Sequence, residues 1–276
     1  MSKLKVKESE YDNIVALYNS GFSKEYIQNL YKVSNSVVDR IFRIKNVQTR
    51  DNSHKRRIYS LNENYFDIID TANKAYILGL LYADGCNYRK MNSIKIELQE
   101  KDKSIIYQIQ NELESSHPIK KVELSKKNKN WQDTFRLMFA NKHMSEQLEK
   151  LGVVQNKSLI LTYPKWLDKR LFPHFLRGYF DGDGHIEWNK SYFLTIAGTL
   201  EFCESVQEIL LNDYNVKSVI YNTGNKESNT KILNIMSRNN IYNFLNLLYN
   251  DSELHIDRKY QKYLEIHEEM NSSLSA

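Results

Sequence analysis

The 276-residue chain is 41% hydrophobic and 26% charged, enough apolar material for one large domain or two smaller ones, which excludes persistent disorder. No apolar run approaches the about 18 residues of a membrane span, and Met1-Ser2-Lys3-Leu4-Lys5 is no signal peptide, so an intracellular protein without a membrane partner is expected. Cys86 and Cys203 form no CxxC pair, which disfavours zinc and disulfides, and the net charge of +5 is too small to name a partner by itself.

The charge is unevenly spread. Residues 1–57 hold 12 Lys and Arg against 6 Asp and Glu, while the remainder is balanced. A basic segment on a neutral body suggests an anionic polymer as partner, or only a solubilising arm. Within it, residues 10–19 have helical character. Gly21-Phe22-Ser23 offers a turn and a Ser N-cap before a helix over 24–31, and Val33-Ser34 offers a second cap before a helix over 35–43. Ile14, Leu17, Ile27, Leu30, Val37, Val38 and Ile41 would share one small core. This is a helix-turn-helix pattern with Asn35, Ser36, Asp39, Arg40 and Arg43 on the free face of the recognition helix; a plain three-helix bundle without a ligand is the alternative. Residues 45–60, with Arg50, His54, Lys55, Arg56 and Arg57, form a basic linker able to track phosphates.

Two glycine-containing segments then match each other: Ile77-Leu78-Gly79-Leu80-Leu81-Tyr82-Ala83-Asp84-Gly85 and Leu176-Arg177-Gly178-Tyr179-Phe180-Asp181-Gly182-Asp183-Gly184, with Asp84 and Asp183 99 residues apart. After the first, Ser93 to Gln99 and Thr134 to Phe139 alternate with period two, and Ile105, Ile109, Leu113 and Met144, Leu148, Leu151 recur at helical spacing. The order is helix, two strands, helix, two strands, helix. The second copy repeats it, with strands near 192–197 and 231–236 and helices near 201–211 and 240–249, so each half is an α+β unit. The expected segments are 1–57, 58–160 and 161–276.

Gly79 with Ala83, and Gly178 with Gly182, put a ridge of small residues on one face of each motif helix, so two such faces can pack backbone to backbone. Gly85 and Gly184 are expected as left-handed terminators, which would stop both helices just after an aspartate. A carboxylate at a helix carboxyl end is unfavourable unless a cation joins it. If the helices pair, Asp84 and Asp183 converge with the carbonyls of Ala83 and Gly182, an all-oxygen set suited to Mg2+. A calcium loop starting at Asp181 fails on spacing, because Ile186 stands where the turn glycine belongs. The remaining alternative, two ordinary helix-end aspartates, requires the same unfavourable placement twice.

Both segments resemble the LAGLIDADG motif, and the chain is similar to the LAGLIDADG homing endonucleases over about residues 60–274. Tyr65-Phe66, Lys74-Ala75-Tyr76 and Phe175-Leu176-Arg177-Gly178 add to the likeness. The resemblance implies αββαββα repeats whose motif helices form the central interface, with the sheets arched into a saddle over double-stranded DNA. It also implies a pseudo-twofold monomer with no protein partner.

Asp84 and Asp183 would then be the catalytic, metal-holding residues. Lys157 and Lys259, which follow them by 73 and 76 residues, would orient or polarise the attacking water. Two or three Mg2+ ions are implied, with Mn2+ able to substitute and Ca2+ binding without cleavage, and with short 3′ overhangs as the product. Ser93, Lys95, Gln99, Thr134, Arg136, Thr195 and Asn234 are the candidates to face the major groove. A silent DNA-binding regulator or an intron RNA maturase could use the same scaffold. An intein is not expected, since the chain neither begins with Cys or Ser nor ends in His-Asn. Abundant Lys, Asn, Ile and Tyr hint at an AT-rich genome such as that of a phage or an organelle.

Overall fold

The computed structural model describes residues 6–49, 58–155, 157, 160–189, 191–223 and 229–274. The chain divides into two compact units, Met1–Ile58 and Tyr59–Ala276.

The first unit holds helices α1 (Tyr11–Asn19), α2 (Lys24–Tyr31) and α3 (Asn35–Ile44). Ser23 caps α2, its Oγ accepting from Tyr26 N at 3.0 Å. Ser34 occupies the same position before α3 without capping it: its hydroxyl lies 2.8 Å from Ser36 Oγ. Ile14, Ile27, Val38 and Ile41 are buried with Tyr11, Tyr18 and Phe42, and Leu17 and Val37 lean on that core. Leu30 is 53% exposed, against expectation, because the next residue, Tyr31, rests on the core in its place.

The second unit repeats one pattern. The first repeat is α4 (Ala72–Ala83), β1 (Gly85–Tyr88), β2 (Ser93–Gln99), α5 (Lys103–Glu112), β3 (Lys120–Val122), β4 (Thr134–Ala140) and α6 (Lys142–Lys150). The second is α7 (Phe172–Asp183), β5 (Gly184–Trp188), β6 (Tyr192–Thr199), α8 (Leu200–Tyr214), β7 (Val219–Asn222), β8 (Thr230–Met236) and α9 (Arg238–Tyr249). The last helix, α10 (Asp257–Leu274), was not foreseen from the residue spacing. The sheets are antiparallel with matching orders, β1-β2-β4-β3 and β5-β6-β8-β7. The period-two pattern becomes packing: Ile94 pairs with Phe139 and Ile96 with Leu137, while Leu194 pairs with Ile235 and Ile196 with Leu233, all of them buried. The architecture is the α+β pair of αββαββα repeats expected from the sequence.

Helices α4 and α7 lie together at the centre of this unit, buried over Ala75 to Tyr82 and Phe175 to Asp181. Their closeness follows from the glycines. A β-carbon on Gly79 would stand 2.9 Å from Tyr179 N and press on the Phe175 carbonyl; one on Gly178 would stand 2.8 Å from Leu80 N and press on the Tyr76 carbonyl. Only residues without a side chain allow these backbones to touch. Thr71 caps the start of α4 through Lys74 N at 3.2 Å, and Pro173 occupies the first turn of α7.

Gly85 and Gly184 are not left-handed, which corrects the sequence reading. Asp84 ends α4 at φ −103°, and Gly184 is extended at φ −100°, ψ 154°. Each glycine opens a strand that folds straight back over the last helical turn. A β-carbon would meet Leu81 Cα at 2.7 Å in one case and the Phe180 carbonyl oxygen at 2.5 Å in the other. Close approach, and not backbone handedness, requires glycine here.

Candidate catalytic and DNA-facing site

The two motif helices end side by side, with Ala83 and Asp84 of one against Gly182 of the other. A β-carbon on Gly182 would run into the Ala83 methyl and stand 2.7 Å from Asp84 Oδ2, so the Asp84 carboxylate lies against the last turn of the opposite helix. Both carboxylate tips are open to solvent. Burial of their surroundings raises the Asp84 pKa, with Lys157 and Lys259 opposing. Burial, followed by the charge on Asp84, pushes Asp183 up to about 6. The two lysines only partly offset burial, and both carboxylates stand where the helix dipoles are negative.

The lysines do not supply that counter-charge by direct contact. Lys157 Nζ donates to Leu81 O at 2.7 Å and to Gly85 O. Lys259 Nζ donates to Phe180 O, to Asp181 O at 3.0 Å and to Gly184 O at 2.7 Å. By the 99-residue offset Leu81 matches Phe180 and Gly85 matches Gly184, so the two lysines do the same work: each closes a motif helix onto the strand that follows it. An ammonium has three N–H groups. Lys259, only 3% exposed, spends all three on carbonyls, whereas Lys157 spends two. This departs from the expectation that both lysines orient water. Burial lowers each to about 8 against the pull of nearby carboxylates, Asp84 and Asp183 for Lys157 and Asp181 first for Lys259.

The donor set fits a hard divalent ion: two carboxylates with raised pKa, on helix ends that also carry the Ala83 and Gly182 carbonyls. Among the described residues no cluster of three or more His, Cys, Asp or Glu could hold a metal, so carboxylate, carbonyl, water and phosphate oxygens would complete the coordination.

The expected DNA-facing residues fare unequally. Thr134 Oγ1 donates to Glu97 at 2.7 Å, Arg136 Nε and Lys95 Nζ each stand 3.0 Å from Glu97 Oε2, and Gln99 is exposed at the strand end. Burial acts to raise Glu97, but Arg136, Thr134 and Lys95 hold it at about 2. Thr195 pairs across strands with Asn234, whose Oδ1 is buried with no partner among the described residues. Ser93 is 3% exposed and does not reach an open face, since the turn at 89–91 and the start of α6 pack over that end of β2.

In the first unit Asn35, Ser36 and Arg43 are exposed and Arg40 is partly buried. Asn35 is already engaged: it accepts from Gln28 at 3.2 Å and donates to Asp39 at 2.9 Å, while Asp39 pairs with Lys24 at 2.6 Å. Arg56 and Arg57, with Arg50, His54 and Lys55, lie outside the described residues.

Sequence reasoning missed the buried network behind the site. Asp181, considered only as a calcium ligand, accepts from Tyr76 at 2.7 Å, Tyr249 at 2.6 Å and Ile256 N at 2.8 Å. Arg177, 1% exposed, donates to Leu254 O at 2.9 Å and Leu248 O at 2.8 Å, with its guanidinium 5.1 Å from the Tyr76 ring centre. The available signal was a charged pair, Arg177 and Asp181, four apart on an otherwise apolar helix.

Residues 174–249 match the family model described as LAGLIDADG-like domain. The probable translation initiation factor IF-2 of Methanocaldococcus jannaschii is 24% identical over 260 residues, 88% of this chain, and the chain spans 20% of that protein's length. Solved structures with some likeness include full-length DUF199/WhiA from Thermatoga maritima, at 19% identity and TM-score 0.47, covering 76% of this chain and 65% of that one. Another is the I-LtrWI LAGLIDADG homing endonuclease bound to target DNA, at 13% identity and TM-score 0.49, covering 78% and 92%. A third is the meganuclease I-SmaMI bound to uncleaveable DNA, at 12% identity and TM-score 0.48, covering 72% and 91%. By this match the second repeat is a LAGLIDADG-like domain, and a motif helix of the same pattern stands in the first repeat.

Proposed function

We propose that the chain is a site-specific DNA endonuclease that breaks both strands of a duplex by divalent-metal-dependent phosphodiester hydrolysis, acting as a monomer whose repeats each furnish half of the site. One observation supports this reading: Asp84 lies against the last turn of the helix that carries Asp183, close enough for its charge to raise the Asp183 pKa, and both residues are exposed. Asp84 and Asp183, with the carbonyls of Ala83 and Gly182, would hold Mg2+. A divalent ion in this set supplies Lewis acidity toward the scissile phosphate.

The chain's own residues do the rest. Among the described residues Lys157 spends two of its three N–H groups, which leaves one for a water or a phosphate oxygen, and Lys259 contributes charge from inside its ring of carbonyls. Both cations offset the negative charge that builds up as water attacks phosphorus and the 3′ oxygen leaves. Lys95, Gln99, Thr134, Arg136, Thr195 and Asn234 are the proposed groove-facing groups, and Asn35, Ser36, Arg40 and Arg43 those of the first unit.

The test is linearisation of a plasmid carrying the uninterrupted native locus, in Mg2+. Asp84→Asn and Asp183→Asn are each expected to abolish linearisation while DNA affinity measured in Ca2+ persists. Loss of binding in both variants, with unchanged cutting of whatever DNA remains bound, would defeat the assignment. A second reading is a DNA-binding protein that does not cut, favoured by the full occupancy of the Lys259 N–H groups. Binding without any cleavage by the intact protein would establish it.

A further inference from the structure

Four consecutive residues at the start of α10 are each fastened to residues of other elements. Ile256 N donates to Asp181 Oδ2 at 2.8 Å, and Asp257 Oδ2 accepts from Ser104 Oγ at 2.7 Å. Arg258 Nε lies 2.9 and 3.2 Å from the two oxygens of Asp102, and Lys259 reaches the Phe180, Asp181 and Gly184 carbonyls. Asp102 and Ser104 belong to the first repeat; the partners of Ile256 and Lys259 belong to the motif helix of the second and the strand that follows it.

Neighbouring residues on a helix point about 100° apart. Anchors on 257, 258 and 259, each turned about 100° from the one before, therefore fix both the rotation and the axial position of α10. Asp102 is 5% exposed and Arg258 44%, so the pair is fixed at its Asp102 end, where both carboxylate oxygens face Nε, and open to solvent at the other. The arrangement is one-sided: Glu201, 99 residues after Asp102, is exposed.

We propose that Asp102 is a positioning residue for the second half of the site: through Arg258 and α10 it holds Lys259 in the carbonyl ring at the end of α7, and so holds Asp183 in place. This rests on the endonuclease reading of the same site. It makes one strand's cleavage depend on the junction between the repeats.

The test uses the full chain and the variants Asp102→Asn, Arg258→Gln, the double variant, Lys259→Met and Lys157→Met. The first readout needs no activity. Reductive methylation followed by mass spectrometry reports how well the Lys259 amine is enclosed. Wild type is expected to protect it, and Asp102→Asn to label it roughly 10-fold faster as local opening increases. The second readout is strand-resolved cleavage. Asp102→Asn is expected to slow the strand that Lys259→Met slows, by about 10- to 100-fold, as misplacement does. The strand slowed by Lys157→Met should change by less than about 2-fold, since that lysine sits on the other helix end. The double variant should be no worse than either single variant, because both remove one interaction.

If Asp102→Asn does not fold, Arg258→Gln, whose side chain is 44% exposed, carries the test. Equal protection of Lys259 in variant and wild type, or equal slowing of both strands, overturns the proposal. A wild type that cuts neither strand defeats the endonuclease reading, while the labelling still decides whether Asp102 holds Lys259.

Discussion

Replacing Gly178 by alanine inserts a methyl where two helix backbones already touch. The new carbon would stand 2.8 Å from Leu80 N and 2.9 Å from Tyr76 C, with the Tyr76 carbonyl oxygen nearer still. Comfortable separation is about 3.5 Å or more, and the carbonyl oxygen, nearest of the three, governs, so α4 and α7 must part by well over about 0.7 Å. The atoms in the way are backbone on a fully buried helix and cannot rotate aside. Overpacking of this kind costs about 1–3 kcal/mol, here at the upper end. Alanine returns about 1 kcal/mol of helix propensity. The net expectation is a loss of about 2 kcal/mol, with Gly79→Ala behaving alike at the equivalent contact. Urea unfolding followed by tryptophan fluorescence measures it cleanly, because Trp131, Trp166 and Trp188 all lie in the second unit. Since the same contact sets the spacing of Asp84 and Asp183, cleavage should fall along with stability. An unchanged or raised urea midpoint at constant slope would refute the account of the helix pair, since that is what propensity alone delivers.

Lys259→Met should cost more stability than Lys157→Met, about 3 against about 2 kcal/mol, because it strips the donor from three carbonyls and not two; thermal or urea unfolding giving the reverse order would contradict the capping role. Asp183 titrates near pH 6 in the folded chain, above the ordinary carboxylate value near 4, so the stability that its protonated form brings is complete below about pH 4 and lost as pH rises through about 6. Asp183→Asn should therefore match wild type near pH 4 and exceed it at pH 7, with added Mg2+ narrowing the gap by stabilising only the wild type; a pH-independent difference in unfolding midpoint would count against the carboxylate repulsion. On the proposed function, cleavage by the intact protein should decline above about pH 8 as Lys157 and Lys259 lose their protons, which a pH–rate profile checks. A chain lacking residues 1–57 should bind the target roughly 10- to 100-fold more weakly or less selectively, yet retain the cut, as gel-shift and plasmid assays together would show.

Local chemistry was legible in the residues. Ser23 before Lys24, the alternation of Ile94, Ile96 and Leu98, and the small ridges Gly79–Ala83 and Gly178–Gly182 each act within a few residues, so pattern alone led to the α2 cap, the strand faces and the helix pairing, though not to the side-chain cap expected from Ser34. The repeat added one long-range fact, the equivalence of Asp84 and Asp183. Beyond that, partners distant in the chain decided matters. Gly85 and Gly184 answer to helix turns that the strands fold back across, a steric demand invisible to turn statistics. Ser93 has polar parity but is sealed by the adjoining turn and helix. Spacing alone left Lys259 free to face water; three carbonyls of the α7 end and its following strand claim it instead. Asp102 and Arg258 stand 156 residues apart, and nothing in the linear order says that they meet. Periodicity encodes which face of an element is apolar, whereas the choice of partner for a buried charge is made only when distant elements close around it and water is no longer there to serve.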